Sequence, residues 1–497
     1  MRNAKIVLRD LGSIFEVAGG VMLLPLVVVV VFDEFYLMKP FLGMALGVLA
    51  AGALLRFAFR RAGDTELKHA MVCAALSWLL LALVSATPFA CCGMSFLDAF
   101  FEAMSGWTGT GLTMILEPSK LPKTLQFWRS LMQWVGGVGV IVLMLSVLAR
   151  PGTASYHLYV SEAREEKIKP SVVSTVRTIW WIYLGFTLVG VPLLWLCGMP
   201  LWAAINHTMT GISTGGFSVV KGSIGAYDNI RVELALLPIM ILGALPFLIH
   251  YKVLSGELKA FFKDVQCRWL FFLIFVLLLP LLLEVAGVPP LSALSSLSAL
   301  SAWASSLSAA FRESIFQLVS GLTCTGFQTA NICSWTPGAK LILAAAMLVG
   351  GAAGSTAGGI KLLRAAVVFS SLRWSFRRML LPKTAVTYFR LGERALDEKE
   401  ASRILMEVCF VTLLWFLFLL VGVIVLSHVA PPPFDISDVV FEVVSAQSNV
   451  GLSTGLASPH LHYLGKIVII FNMWVGRLEI IPVLMLLRAL VRGFEPW

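Results

Sequence analysis

Four stretches decide how this chain folds: FEAMSGWTGTGL at 101–112, NHTMTGISTGGF at 206–217, FQLVSGLTCTGF at 316–327 and FEVVSAQSNVGL at 441–452. They align without gaps and place Gly111, Gly216, Gly326 and Gly451 in one column. Nine residues before each glycine stands a polar residue: Glu102, His207, Gln317 and Glu442. Six before stands a hydroxyl: Ser105, Thr210, Ser320 and Ser445. Two before stand Gly109, Thr214, Cys324 and Asn449, and one before stand Thr110, Gly215, Thr325 and Val450. A large apolar residue follows each time, Leu112, Phe217, Phe327 or Leu452. The glycines lie 105, 110 and 125 residues apart. One such window is weak evidence; four in register are an internal repeat.

Each window sits between two apolar runs: 70–89 and 127–148, 179–197 and 231–253, 270–288 and 340–362, 404–428 and 465–488. Two more runs, 14–32 and 40–59, precede the first unit. These runs are long enough to cross a hydrocarbon layer of about 30 Å, whereas the windows are not, so the windows are expected to enter the membrane and return. Composition agrees: of 497 residues 58% are hydrophobic and 13% charged, against about 25% charged in soluble domains, and the mean hydropathy is +0.87. The expected fold is an all-α polytopic membrane protein. It comprises a two-span leader (1–66) and four span–pore-loop–span units (67–160, 161–262, 263–395 and 396–497) around one axis.

The net charge of +10 could suggest nucleic acid, but its placement argues against that partner. Lys and Arg gather in Arg56–Lys68, Arg150–Arg177, Lys252–Arg268 and Lys361–Arg403, and the alternate loops are poor in them. This is the positive-inside pattern, which puts both termini in the cytoplasm and gives an even number of crossings. Cys73, Cys197, Cys267 and Cys409 lie in or beside apolar runs, as small core residues do. No CxxC spacing, cleavable signal peptide, HExxH or P-loop occurs, and an enzyme is not expected.

Four re-entrant loops around one axis could let main-chain carbonyls replace an ion's hydration shell. Glycine suits such a strand because it reaches backbone angles closed to other residues and puts no side chain in the lumen. The short helix before each strand aims the negative end of its dipole at the centre, favouring a cation. The polar column is expected to bind neighbouring backbone rather than the ion. The second spans carry glycines at similar depth, Gly136-Gly137, Gly243, Gly350-Gly351 and Gly476, marking either kinks or close packing. GGAAGSTAGGIKLLR at 350–364 breaks a span with Gly350, Gly351, Gly354, Ser355, Thr356, Gly358 and Gly359. It reads as an intramembrane gating loop or as a distorted span. Arg477 reads as a fixed positive barrier in the path or as the partner of Glu479, two residues away and on another helix face.

FEAMSGWTGTGLT, QWVGGVGVIVL, ISTGGFS, GSTAGGIKLLR and NVGLSTG resemble hallmark segments of the Trk/Ktr/HKT superfamily of potassium transporters, above all the bacterial TrkH/TrkG membrane-subunit type. The resemblance covers nearly the whole chain, two leading spans included. It implies potassium uptake across the bacterial inner membrane through a pseudo-fourfold pore. It also implies a homodimer in membrane lipid, a cytoplasmic nucleotide-binding regulatory subunit of TrkA type, and no organic cofactor. Carried over by motif, potassium would bind at Gly109, Thr110 and Gly111; Thr214, Gly215 and Gly216; Cys324, Thr325 and Gly326; and Asn449, Val450 and Gly451. The 350–360 loop would be the gate and Arg477 the pore arginine. Departures are TGTG in place of TTTG in the first unit, Cys324 in place of a common threonine, and a Ser/Leu/Ala stretch at 291–309. A sodium-permeable or symporting relative, and the ion-binding subunit of a P-type pump, are the alternatives. In plant HKT carriers a serine can replace the first filter glycine, and Gly111 favours potassium. The basic segment 361–403, with Arg373, Arg377 and Arg378, could dock the regulatory subunit or lie on anionic lipid.

Overall fold

The computed structural model describes residues 2–143, 172–287, 297–382, 387–392 and 394–493. Nearly all of them lie in helices or the short links between helices. Among the described residues one small sheet forms, pairing Phe389–Leu391 with Arg394–Leu396 in antiparallel register. Among the described residues six helical stretches are long and apolar enough to cross a membrane: Asn3–Val31, Phe35–Ala58, Leu67–Cys91, Thr175–Leu196, Val265–Ala286 and Glu398–Val429. The chain is a multi-pass α-helical membrane protein. Its outward faces are apolar, as on Val265–Ala286, where Phe271, Phe272, Phe275 and Leu279 are exposed. Such a face suits hydrocarbon rather than water.

The leader helices Arg2–Val21 and Met38–Ala58 cross through glycine. A Cβ on Gly12 would stand 2.8 Å from the Gly52 carbonyl oxygen, and one on Gly52 would stand 2.8 Å from that of Gly12. Small residues at such a crossing let backbones meet and raise dispersion contact where no hydrophobic force distinguishes lipid from protein.

The second spans differ from expectation. In the first unit Lys123–Leu143 is one unbroken helix through Gly136-Gly137, and both glycines sit against neighbouring chain. The expected span 231–253 bends by 107° between Ile230–Ala244 and Phe247–Leu254. Pro246 caps the second piece, and its ring keeps Leu245 extended. The expected span 465–488 bends by 111° between Tyr463–Arg477 and Ile481–Arg492, where Glu479 and Ile480 take φ of 56° and 70°. In the third unit Pro337–Val349 stops at Gly350, and helix resumes only at Leu362. Residues 144–148 of the first unit's second span lie outside the described residues. So do most of the Arg150–Arg177 loop and residues 291–296 of the Ser/Leu/Ala stretch. The rest of that stretch continues into the helix that opens the third window, Leu297–Leu322.

The helices that open the other three windows, labelled pore helices after the role expected of them, are Phe96–Thr108, Leu201–Ile212 and Ile436–Gln447, of 13, 12 and 12 residues. At 1.5 Å per residue each is about 20 Å long, too short to span. Ser95 and Asp435 cap the first and last, accepting from the amides of Asp98 and Asp438. Near its start, each second span clasps the next unit's pore helix. Trp202 Nε1 donates to Gln126 Oε1 at 2.8 Å, and Arg312 pairs with Glu233 at 2.7 Å. Lys340 pairs with Asp438 at 2.7 Å, and Lys466 with Asp98 at 2.5 Å. The last clasp joins the fourth unit to the first and closes a ring.

Candidate ion pathway

All four pore helices end in the same way. The residue two before the column glycine is left-handed: φ is 64° at Gly109, 51° at Thr214, 56° at Cys324 and 53° at Asn449. The next amide turns back to the carbonyl of the hydroxyl column. Thr110, Thr325 and Val450 donate to Ser105, Ser320 and Ser445 at 2.9 Å, and Gly215 donates to Thr210 at 2.8 Å. This resembles the C-terminal motif that satisfies orphan helix carbonyls. Only the first unit uses glycine there; the other three hold side chains in a conformation that costs roughly 1–2 kcal/mol.

The column glycines then take φ of 95°, 74°, 83° and 94°. A Cβ on Gly111 would overlap the Gly215 carbonyl oxygen, and one on Gly216 that of Thr325. One on Gly326 would overlap that of Val450, and one on Gly451 that of Thr110. Each glycine therefore faces the main chain just before the next unit's glycine, and the sequence of contacts returns to its start. The four strands meet around a common centre.

The hydroxyl column holds these strands by two devices. Ser105 and Ser445 accept from the amides of Gly111 and Gly451, both at 3.0 Å. Thr210 and Ser320 instead donate to the carbonyls of Phe217 at 2.9 Å and Phe327 at 2.8 Å. The polar column ties the returning chain to the pore helix, as expected. Glu102 accepts from the Met114 amide at 2.9 Å, and Glu442 from Ser453 Oγ at 2.7 Å. His207 Nε2 meets Ser218 Oγ at 2.9 Å. The Gln317 amide oxygen accepts from the Thr329 amide at 2.6 Å.

Three side chains tie the seams between units, and sequence reasoning missed two of them, Arg129 and Gln133, and the side-chain role of the third, Asn449. Asn449 donates to Thr110 Oγ1 at 2.9 Å, joining the fourth strand to the first. Arg129 pairs with Glu102 at 2.7 Å and donates to the Ser218 carbonyl at 2.8 Å, with its guanidinium carbon 4.1 Å from the Phe217 ring centre. Gln133 donates to the Gly215 carbonyl at 2.6 Å and accepts from the Phe217 amide at 3.0 Å. Arg129 and Gln133 are buried and four residues apart on one helix face. Polar groups at that spacing inside an apolar run are the signal that could have found them.

Below the ring, second-span glycines press on the ends of the pore helices. A Cβ on Gly136 would overlap the Trp107 carbonyl oxygen, one on Gly243 would lie 2.5 Å from that of Ile212, and one on Gly476 would overlap that of Gln447. Trp107, Ile212 and Gln447 each stand four residues before the column glycine. In the third unit the broken segment 350–361 crosses under its neighbours instead. Thr356 Oγ1 donates to the Gly243 carbonyl at 2.8 Å and accepts from Thr214 Oγ1 at 3.0 Å. The Ala352 amide donates to the Ala244 carbonyl at 2.9 Å. Gly350, Gly354 and Gly359 have positive φ, and a Cβ on Gly358 would overlap the Ser448 carbonyl oxygen. Gly351 and Ser355 lie in the same buried segment.

Arg477 follows Gly476 and reaches across beneath the ring. It donates through Nη1 to the Thr356 carbonyl at 2.8 Å and through Nη2 to the Gly136 carbonyl at 2.9 Å. Its Nη2 lies 3.7 Å from where a Gly109 Cβ would stand. Glu479 does not neutralise it; that carboxylate pairs with Arg364. The guanidinium thus bridges the first and third units at the foot of the ring, with its side chain 4% exposed.

Residues 40–492 match the model of the TrkH family, described as cation transport protein. The chain is 36% identical over 489 residues to an uncharacterized cation transporter of Methanocaldococcus jannaschii, covering 97% of this chain and 95% of that protein. It is 29% identical to the Trk system potassium uptake protein TrkH of Escherichia coli, covering 96% and 97%. The crystal structure of the potassium transporter TrkH from Vibrio parahaemolyticus superposes with a TM-score of 0.82 at 27% identity, covering 97% of this chain and 98% of that one. The chain belongs to the TrkH family of cation transport proteins.

Proposed function

We propose that the chain takes up potassium ions across a bacterial inner membrane, through a pseudo-fourfold filter built by its four units. The supporting observation is the cyclic order in which Gly111, Gly216, Gly326 and Gly451 face the main chain of the next unit. Carbonyls of Gly109–Gly111, Thr214–Gly216, Cys324–Gly326 and Asn449–Gly451 would replace the ion's water, and four pore-helix C-termini would favour a cation at the centre. The names of the Escherichia coli and Vibrio relatives, which specify potassium, support the choice of ion.

In this reading the 350–361 segment is the gate, and Arg477 is the positive charge that a cation must pass. The basic ends of the spans face the cytoplasm, with both termini. The protein would work as a homodimer with a nucleotide-binding subunit of TrkA type, for which Arg373, Arg377 and Arg378 offer a basic docking face. The experiment is flux in proteoliposomes under potassium, sodium and rubidium gradients, with Gly216→Ser and Gly326→Asp as variants. Potassium preference in the parent and its loss in both variants is expected. Equal passage of sodium would favour a sodium-permeable transporter, and unchanged preference in both variants would remove the filter assignment.

A further inference from the structure

In the column just before the ring glycine, three units carry β-branched residues, Thr110, Thr325 and Val450, and the second carries Gly215. The backbone does not require glycine there, because Gly215 is not among the residues of positive φ, unlike Gly216. Space requires it. A Cβ on Gly215 would lie 2.5 Å from both Cδ and Oε1 of Gln133 and 2.9 Å from its Nε2. The side chain that Gly215 lacks is replaced by one reaching in from the first unit. In the fourth unit the equivalent volume belongs to Val450, which packs in one apolar cluster with Met347 of the third unit's second span.

Gln133 fills this space with two directed bonds. Its Nε2 donates to the Gly215 carbonyl at 2.6 Å, and its Oε1 accepts from the Phe217 amide at 3.0 Å. A carbonyl only accepts and an amide N–H only donates, so the orientation of the side-chain amide is fixed by its partners. The two bonds bracket Gly216. The group is fully buried, so an unpaired N–H or carbonyl left by its removal would carry a full desolvation penalty.

We propose that Gln133 is a positioning and specificity-determining residue of the filter. It stands in for the side chain missing at Gly215, sets the direction of the Gly215 carbonyl and occupies one of that oxygen's two lone pairs. This rests on reading the glycine ring as the ion filter. The ring then presents unequal ligands, with the second unit's oxygen shared between the ion and an amide. Selectivity depends on the number, spacing and field strength of such oxygens, so Gln133 tunes the ranking of ions without touching them.

The test uses the purified full chain in proteoliposomes, with potassium, rubidium and sodium flux measured for the parent, Gln133→Met, Gly215→Thr, the double variant Gln133→Ala/Gly215→Thr, and Gly216→Ala as reference. Gln133→Met keeps the volume and removes both bonds. It should reduce the potassium-to-sodium flux ratio about five-fold or more, the scale of a lost buried hydrogen bond, with the elution profile near the parent's and the thermal stability lowered by the two backbone groups left unpaired. Gly215→Thr should lower the ratio as its side chain meets Gln133, and the double variant should recover part of that loss. If Gly216→Ala changes the ratio while Gln133→Met leaves all three ions ranked and spaced as in the parent, Gln133 is only packing and the inference is overturned. A double variant no better than Gly215→Thr would also overturn it. If Gly216→Ala itself has no effect, the filter reading fails instead.

Discussion

Arg477 Nη1 donates at 2.8 Å to the main-chain carbonyl of Thr356, so the fourth unit's charge is held by the third unit's broken segment. Thr356 in turn bonds to Thr214 and to the Gly243 carbonyl of the second unit. The candidate barrier and the candidate gate are therefore one hydrogen-bonded assembly. Movement of the segment must release the guanidinium or carry it along.

Replacing Arg477 with Ala should raise potassium flux several-fold in proteoliposomes, because the fixed positive charge is removed from the path of a cation. Flux that falls or stays level in a normally inserted protein would show that Arg477 is not a barrier.

Arg364 and Glu479 form a part-buried pair between the helix after the broken segment and the turn after Arg477, with each side chain 13% exposed. Removing one partner takes away the other's nearest counter-charge, at a cost below the roughly 3–5 kcal/mol of a fully buried pair, since Lys361 also faces Glu479. Glu479→Gln and Arg364→Met should each lower the unfolding temperature by several degrees in detergent, and the swapped pair Arg364→Glu/Glu479→Arg should restore part of it. Thermal melts of the three proteins check this; additive losses in the swap would contradict the coupling.

Lys340 and Asp438 clasp the third unit to the fourth pore helix with side chains 5% and 6% exposed. Asp438→Asn should destabilise the protein by roughly 3 kcal/mol or more and, by loosening one seam of the ring, narrow the gap between potassium and sodium flux. Paired melting and ion-competition measurements test the two effects. A large loss of stability with an unchanged ion ratio would mean that the rim clasps do not shape the ring.

The repeat and the ring glycines were legible because one backbone task recurs four times and selects the same small set of residues. The polar column was legible for the same reason: Glu102, His207, Gln317 and Glu442 differ in chemistry but reach the same returning chain. The breaks at Leu245-Pro246 and Glu479-Ile480 were not, because each lies within an apolar run whose hydropathy is that of a continuous span. Gly136 and Gly243 look alike in sequence, yet one lies inside an unbroken helix and the other beside a bend; both are glycine for the carbonyl they press against. Gln133 escaped notice because its partners, Gly215 and Phe217, belong to another unit more than 80 residues away. A repeat alignment compares like positions and is blind to a contact that trades one unit's side chain for another's.

Rubidium is a heavy potassium congener whose position can be read directly. Anomalous diffraction from crystals grown in rubidium should show a peak on the axis bounded by the main chains of Thr110, Gly215, Thr325 and Val450, weakened by excess potassium and little changed by excess sodium. Absence of that peak with rubidium bound elsewhere in the chain, or equal displacement by sodium, would contradict a potassium filter made from these four strands.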